Sequence, residues 1–167
     1  MSKKIVITGG IGYIGTELCK IYSGISWNNE IVVIDNRFIS ERVNQIRNWN
    51  MDFVHGDILD KELINKYCKD ADIVHHLAGV TDVPRTQSES SKNQDNKITL
   101  VAEQGTQNIL DAISDKCKII LPSTHVVYEG IEKVKNNILE DEETKPVLSY
   151  ATSKAINEKQ LKNSGKN

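Results

Sequence analysis

Residues 5–15 read Ile-Val-Ile-Thr-Gly-Gly-Ile-Gly-Tyr-Ile-Gly. Three apolar β-formers run straight into a glycine cluster, and a helical pattern follows at once. Gly10, Gly12 and Gly15 fit G-x-G-x-x-G, while Gly9, Gly12 and Gly15 fit G-x-x-G-x-x-G. A glycine turn between strand and helix lets backbone approach a pyrophosphate, and the N–H groups of the helix start then face its charge. Gly15 would let the helix lie close on the sheet. Spacing alone is a weak signal, and an ordinary glycine-rich turn would satisfy it. The context narrows the choice. Asp35 stands 20 positions after Gly15, at the end of a second apolar run over residues 31–34. An acidic residue at that distance is the ribose-binding partner of a dinucleotide turn.

The chain alternates strand and helix. Strands are expected over residues 5–8, 31–34, 51–54, 72–77 and 118–121. The first helix runs from Gly12 to about Ser23, with Ile14, Leu18, Ile21 and Tyr22 on one face. A short helix from Ser40, capped by that serine, reaches about Trp49, and another follows Asp60 as its cap to about Cys68. Residues 81–96 are polar, carry Pro84, and read as a loop over an active-site mouth. A helix to about Ser114 follows, with a stripe of Ile98, Val101, Ala102, Gly105, Ile109, Ala112 and Ile113. Residues 128–145 form an acidic, lysine-containing loop, and a last helix spans about 149–162. Five alternations make a doubly wound parallel α/β sheet with helices on both faces. The unbroken apolar run 31–34 suits a strand covered on both sides.

Composition excludes several classes. At 167 residues the chain is about one domain. A net charge of -2 and a pI near 6.1 speak against nucleic acid or a membrane surface as partner. No apolar run approaches the ~18 residues of a membrane span. Met1-Ser2-Lys3-Lys4 leads directly into a strand that ends too early for a signal peptide, so the expected address is the cytoplasm. Cys19, Cys68 and Cys117 are odd in number and widely spaced, which predicts reduced, partly buried thiols. No metal is expected. His75 and His76 are neighbours in a strand and point to opposite faces, so they read as structural. Glu140-Asp141-Glu142-Glu143 reads as a solvated loop face. Arg85, in the polar loop, is either a phosphate contact or simply solvated, and solvation is the commoner case.

Tyr150 and Lys154 are four apart on the last helix and share a face. A tyrosine of ordinary pKa, near ~10, is a poor base at neutral pH, and an ammonium beside it favours the phenolate. A Thr124 hydroxyl at the end of the fifth strand would hold a substrate oxygen and pass its proton. Alone, Tyr-x-x-x-Lys means little. Its weight comes from the Ser-Thr strand end and the dinucleotide turn upstream.

Together Thr8-Gly9-Gly10-Ile11-Gly12-Tyr13-Ile14-Gly15, Asp35-Asn36, Gly56-Asp57-Ile58, His76-Leu77-Ala78-Gly79, Ser123-Thr124-x-x-Val127-Tyr128 and Tyr150-x-x-x-Lys154 resemble the extended short-chain dehydrogenase/reductases. Within them the chain is similar to NAD-dependent epimerases/dehydratases acting on nucleotide sugars. That resemblance, from about Lys4 to Leu161, implies a Rossmann-like three-layer α/β/α domain with NAD as cofactor. It also implies site roles. Gly9, Gly12 and Gly15 hold the pyrophosphate, with backbone N–H groups from Tyr13 and Ile14. Asp35 binds the adenosine ribose, and its carboxylate would repel a 2′-phosphate. Asp57 and Ile58 flank adenine, and Leu77, Ala78 and Gly79 line the cofactor ribose. Asn36 and Ser123 lie in the same cofactor-contacting motifs. Thr124, Tyr150 and Lys154 form the catalytic set, with Tyr150 and Lys154 also touching the cofactor. The family pairs subunits through the helix near residues 98–113 and the catalytic helix, so a homodimer is implied.

The departures from the family are specific. Sugar 4,6-dehydratases carry Thr-Asp-Glu where this chain has Thr124-His125-Val126, and the related decarboxylases keep a glutamate at the place of Val126. Valine moves no proton, so dehydration and decarboxylation lose weight. Ala102 replaces an asparagine that usually stands three residues before Gly105-Thr106 and orders the active site. Glu129 interrupts the usual Tyr-Gly. The family continues for well over a hundred residues into a substrate-gripping carboxyl-terminal domain. This chain stops at Asn167, so residues 1–167 are expected to be a cofactor domain alone, incomplete at its carboxyl end. The expected function is that of a nucleotide-sugar 4-epimerase; the alternatives are an NAD-dependent reductase or dehydrogenase of a sugar or steroid-like alcohol, and an inactive NAD-binding fragment.

Overall fold

The computed structural model describes residues 2–25, 28–80, 91–132 and 136–166. Five parallel strands form one sheet: β1 (Lys4–Thr8), β2 (Glu30–Asp35), β3 (Asp52–His55), β4 (Ile73–His76) and β5 (Lys118–Ile120), in the order β3-β2-β1-β4-β5. The doubly wound α/β expectation is met, with the bounds of all five strands within one residue of those expected. Thr8 pairs with Ile34 on one side and His76 on the other. The chain winds outward from β1 to β3, then crosses back to place β4 on the opposite flank. The carboxyl ends of β1 and β4 therefore border a crevice, where ligands of open α/β sheets bind.

Alternation along β1 builds two cores. Ile5 and Ile7 join Ile31, Val33, Val43 and Ile46 on one face of the sheet. Val6 joins Val32, Ile34, Val74, Ile109 and Ile119 on the other. Each fully buried branched side chain contributes roughly 1.5–3 kcal/mol. Helices α1 (Tyr13–Ser23) and α2 (Ser40–Asn48) cover the first face. Helix α3 (Lys61–Cys68), capped by Asp60 accepting from the Leu63 N–H, covers the second with the later helices.

Several expectations need correction. Ser40 does not cap α2. Ile39 is the N-cap, no side chain caps the helix, and Ser40 is its first residue. On α1, Ile14 and Ile21 are each 61% exposed, and the buried positions are Gly15 and Cys19. Leu18 and Tyr22 of the expected stripe do pack against the first core, while contact of Gly15 with the glycine turn leaves Ile14 and Ile21 outside it. The loop read over residues 81–96 ends sooner. Helix α4 (Lys92–Leu100) starts there, with Ser91 capping it through the Gln94 N–H. A π turn over Val101–Gly105 follows, then α5 (Thr106–Ala112). Residues 81–90, Arg85 among them, lie outside the described residues. All three cysteines are buried and free, not partly buried. The histidines part as expected: His75 Nε2 meets the Tyr22 hydroxyl at 2.8 Å, while His76 faces the other core.

A short 3-10 turn (His125–Tyr128) follows β5, and α6 (Ser149–Ser164) closes the described chain. Among the described residues, no helix is long and apolar enough to cross a membrane.

Candidate active site

The turn after β1 is shaped for close approach. Gly9 has φ +70°, and a Cβ there would lie 2.6 Å from the Ala78 nitrogen. A Cβ on Gly15 would lie 2.5 Å from the Gly9 carbonyl oxygen and 2.6 Å from the Gly10 Cα. Backbone, not a flexible side chain, fills that space, so only glycine fits at either place. Helix α1 has Gly12 as its N-cap and no side-chain cap, and Tyr13, its first helical residue, is 82% exposed. Its first-turn N–H groups are open to an anion. These residues fit the pyrophosphate of a dinucleotide.

Asp35 closes one end of the turn. Its Oδ2 accepts the Ile11 N–H at 3.2 Å. Its Oδ1 accepts the Arg37 N–H at 2.9 Å and pairs with the Arg37 Nε at 3.3 Å. The carboxylate is thus tied to the glycine turn itself. Asn36 Nδ2 donates to Asp57 Oδ2 at 2.9 Å, so these two predicted cofactor residues lie together. Ile58 differs. Its side chain is buried in the core against Gly105, which leaves only its backbone for a nucleobase.

A small cleft lies beyond the turn. Leu77, Ala78 and Gly79 line it from the end of β4, and Tyr150 and Lys154 line it from α6. Ala78 also packs against Gly9. The predicted ribose residues and the predicted Tyr-Lys pair therefore meet in one space that abuts the glycine turn. Lys154 Nζ donates to the Pro122 carbonyl at 3.0 Å and lies 5.9 Å from the Tyr150 ring centroid. Burial lowers the Lys154 pKa from the ordinary lysine value. Thr124 is not part of the cleft lining; its hydroxyl accepts the Val126 N–H at 3.4 Å and caps the 3-10 turn. Ser123 donates to Glu158, likewise away from the lining.

Two features escaped sequence reasoning. Arg37 sits on Asp35, a pairing that its i+2 spacing after the strand allows. Asn157 lines the cleft one turn beyond Lys154 and is 5% exposed. A polar residue at the i+3 position from a candidate lysine was the available signal. Glu129, noted as a departure, accepts the N–H groups of Val147 and Leu148 at 2.7 and 2.6 Å, just before α6. No group of three or more metal-ligating side chains exists among the described residues.

The sequence pattern of the 3-beta hydroxysteroid dehydrogenase/isomerase family matches residues 6–167. The chain belongs to that family. As a member of the 3-beta hydroxysteroid dehydrogenase/isomerase family it also has the short-chain dehydrogenase/reductase character that its motifs led us to expect. It is 34% identical over 146 residues to CDP-paratose 2-epimerase of Salmonella typhi, covering 80% of this chain and 40% of that protein. It is 32% identical over 170 residues to dTDP-D-glucose 4,6-dehydratase of Dictyostelium discoideum, covering 92% of this chain and 38% of that protein. The crystal structure of UDP-glucose 4-epimerase from Brucella ovis in complex with NAD superposes with a TM-score of 0.77 at 29% identity, covering 97% of this chain and 47% of that one. The family member described here thus spans less than half the length of each of these relatives.

Proposed function

We propose that residues 1–167 form an NAD-binding domain carrying the catalytic residues of a nucleotide-sugar 4-epimerase. One observation supports this reading above the others: Tyr150 and Lys154 share a cleft with Leu77, Ala78 and Gly79, directly beside the glycine turn. NAD, when bound, would supply a hydride acceptor that can also return the hydride. The chain supplies the rest. Gly9, Gly12 and Gly15 admit the pyrophosphate, and the N–H groups of Tyr13 and Ile14 face it. Asp35 takes the ribose hydroxyls, with Asn36, Asp57 and the Ile58 backbone at the adenine end and Ser123 at the far end. Tyr150 removes the proton from the sugar hydroxyl and later gives it back. Lys154 stabilises negative charge on the Tyr150 oxygen; Thr124 lies outside the cleft lining, but its hydroxyl, which accepts the Val126 N–H, keeps its own proton to donate to the reacting oxygen. Val126 supports epimerisation over dehydration, because no proton can move at its position. A cytoplasmic address and a homodimer through α4–α5 and α6 belong to the same reading.

A second reading has its own support. The matched family is described by hydroxysteroid oxidation, so a one-way reductase or dehydrogenase of a sugar or steroid-like alcohol uses the same residues without returning the hydride. Incubation with NAD and UDP-sugars, with product sugars separated and absorbance at 340 nm followed, distinguishes the two. An epimerase interconverts C4 epimers with no net NADH. A dehydrogenase accumulates NADH with its alcohol substrate. NAD binding without either reaction would mark a non-catalytic module, and Tyr150→Phe with undiminished turnover would end the catalytic assignment.

A further inference from the structure

Four polar side chains in the second core touch end to end. Thr8 and Thr106 are 0% exposed, His76 2% and Asn157 5%. The Thr8 hydroxyl accepts the Ala78 N–H at 3.3 Å and meets His76 Nδ1 at 3.0 Å. His76 Nε2 meets the Thr106 hydroxyl at 2.9 Å. Asn157 Nδ2 donates to that same hydroxyl at 2.8 Å and to the Ala102 carbonyl at 2.9 Å. Thr8 ends β1 directly before Gly9, and Ala78 packs on Gly9. Asn157 stands three residues after Lys154 and on the same cleft wall. The chain of contacts therefore starts at the glycine turn, crosses β4 and α5, and ends on the helix that carries Tyr150 and Lys154.

Buried polar groups are costly unless they are paired, and a half-paired network is worse than an apolar core. Here every member is paired, and a fully paired network rigidifies the elements it joins. The far end of the network is also unusual backbone. Ala102 lies within the π turn, a helix irregularity that recurs at functional sites. Ala102 itself has no side chain able to secure this turn. Asn157 reaches across from α6 and holds its carbonyl instead.

We propose that Thr106 and Asn157 are positioning residues: through His76 and Thr8 they lock the helix bearing Tyr150 and Lys154 to the end of the strand that opens the glycine turn. The inference rests on the reading of Tyr150 and Lys154 as a working pair beside a bound dinucleotide. Thr106→Val keeps the shape and removes the hydroxyl, whereas Thr106→Ser keeps the hydroxyl. Both variants are compared with wild type by thermal melting, by NAD titration calorimetry, and by NMR of the Lys154 side chain in ¹³C-lysine protein, assigned with Lys154→Met. Thr106→Val is expected to raise the NAD Kd about tenfold and to move the Lys154 titration towards that of an ordinary lysine. Thr106→Ser should restore both to within about twofold of wild type. A Thr106→Val protein that melts earlier but keeps the NAD Kd and the Lys154 titration overturns the proposal, since a purely structural hydroxyl would behave that way. Should Thr106→Val not fold, Asn157→Leu breaks the network at its outer end and is read in the same way. If wild-type protein does not bind NAD at all, the cofactor reading fails, and the Lys154 arm alone decides the positioning role.

Discussion

Acid should destabilise this fold through His76, by an amount that can be worked out. The ring is buried between Thr8 and Thr106, and its pKa is pushed down to about 3, first by burial and second by the Lys154 charge. In the unfolded chain an ordinary histidine titrates near ~6.5. The native value is the depressed one, so protons bind preferentially to the unfolded chain. Stability from the neutral ring is complete above about pH 6.5 and is lost as pH falls from there towards 3. Each pH unit in that window removes about 1.4 kcal/mol, so the loss from this group is about 2 kcal/mol at pH 5 and about 3 kcal/mol at pH 4. That is a large share of a typical domain stability of roughly 5–15 kcal/mol. His75 is also depressed by burial and adds in the same direction. Comparing wild type with His76→Gln, which keeps a donor and an acceptor, isolates His76. Urea unfolding followed by tryptophan fluorescence between pH 4.5 and 8 should show the stability gap between the two proteins narrowing by about 2 kcal/mol from pH 7 to pH 5. Equal pH slopes in the two proteins would refute the reasoning. If His76→Gln does not fold, the ring resonances of wild-type His76 give the answer instead. They should stay at their neutral positions down to pH 4.5 in native protein, and movement near pH 6 would contradict a buried neutral ring.

Glycine positions should separate by what surrounds them. Gly15→Ala puts a Cβ 2.5 Å from the Gly9 carbonyl oxygen and should cost stability by roughly 1–3 kcal/mol, while Gly79→Ala, with nothing within 4 Å, should leave the melting midpoint unchanged. Burial raises the Cys19 and Cys68 thiols to about 12. A thiol reagent at pH 8 should therefore label them only at the rate of unfolding, and fast labelling in native protein would contradict their burial. Glu129→Ala should lower the melting midpoint by freeing the N–H groups of Val147 and Leu148, and Glu129→Gln should recover most of the loss, because its carbonyl can still accept them.

What the sequence made legible follows from local rules. The glycine turn, the apolar runs 31–34 and 72–77 and the Asp60 cap are short-range signals, and each stands where it was expected. The opposite facings of His75 and His76 needed only the two-residue period of a strand. The rotation of α1 was half legible: Leu18 and Tyr22 reach the core as their spacing suggests, but Gly15 pressed on Gly9 and Gly10 leaves Ile14 and Ile21 outside. Helix α4 was missed at its start because Lys92-Asn93-Gln94-Asp95-Asn96 is polar and offers no apolar period, although Ser91 was a readable cap. The buried network was beyond reach for another reason. Thr8 and His76 are 68 residues apart and Thr106 and Asn157 are 51 apart, so only the fold brings them together. In the candidate site, Asp35, Tyr150 and Lys154 were the residues that spacing rules could propose. Arg37 and Asn157 were not among them, because each is placed by a contact with a neighbour that the spacing rules do not describe.

In the proposed reading a nicotinamide dinucleotide sits over the glycine turn with its adenosine ribose on Asp35. Calorimetric titration of residues 1–167 with NAD, alongside Asp35→Asn, tests this placement. Asparagine keeps a carbonyl for the Ile11 N–H but removes the charge that strengthens hydrogen bonds from ribose hydroxyls, so the Kd should rise about tenfold, equivalent to about 1.4 kcal/mol. Saturable one-to-one binding by wild type, weakened to that extent in the variant, is the predicted result. No binding by folded wild-type protein, or identical affinity in both, would contradict it.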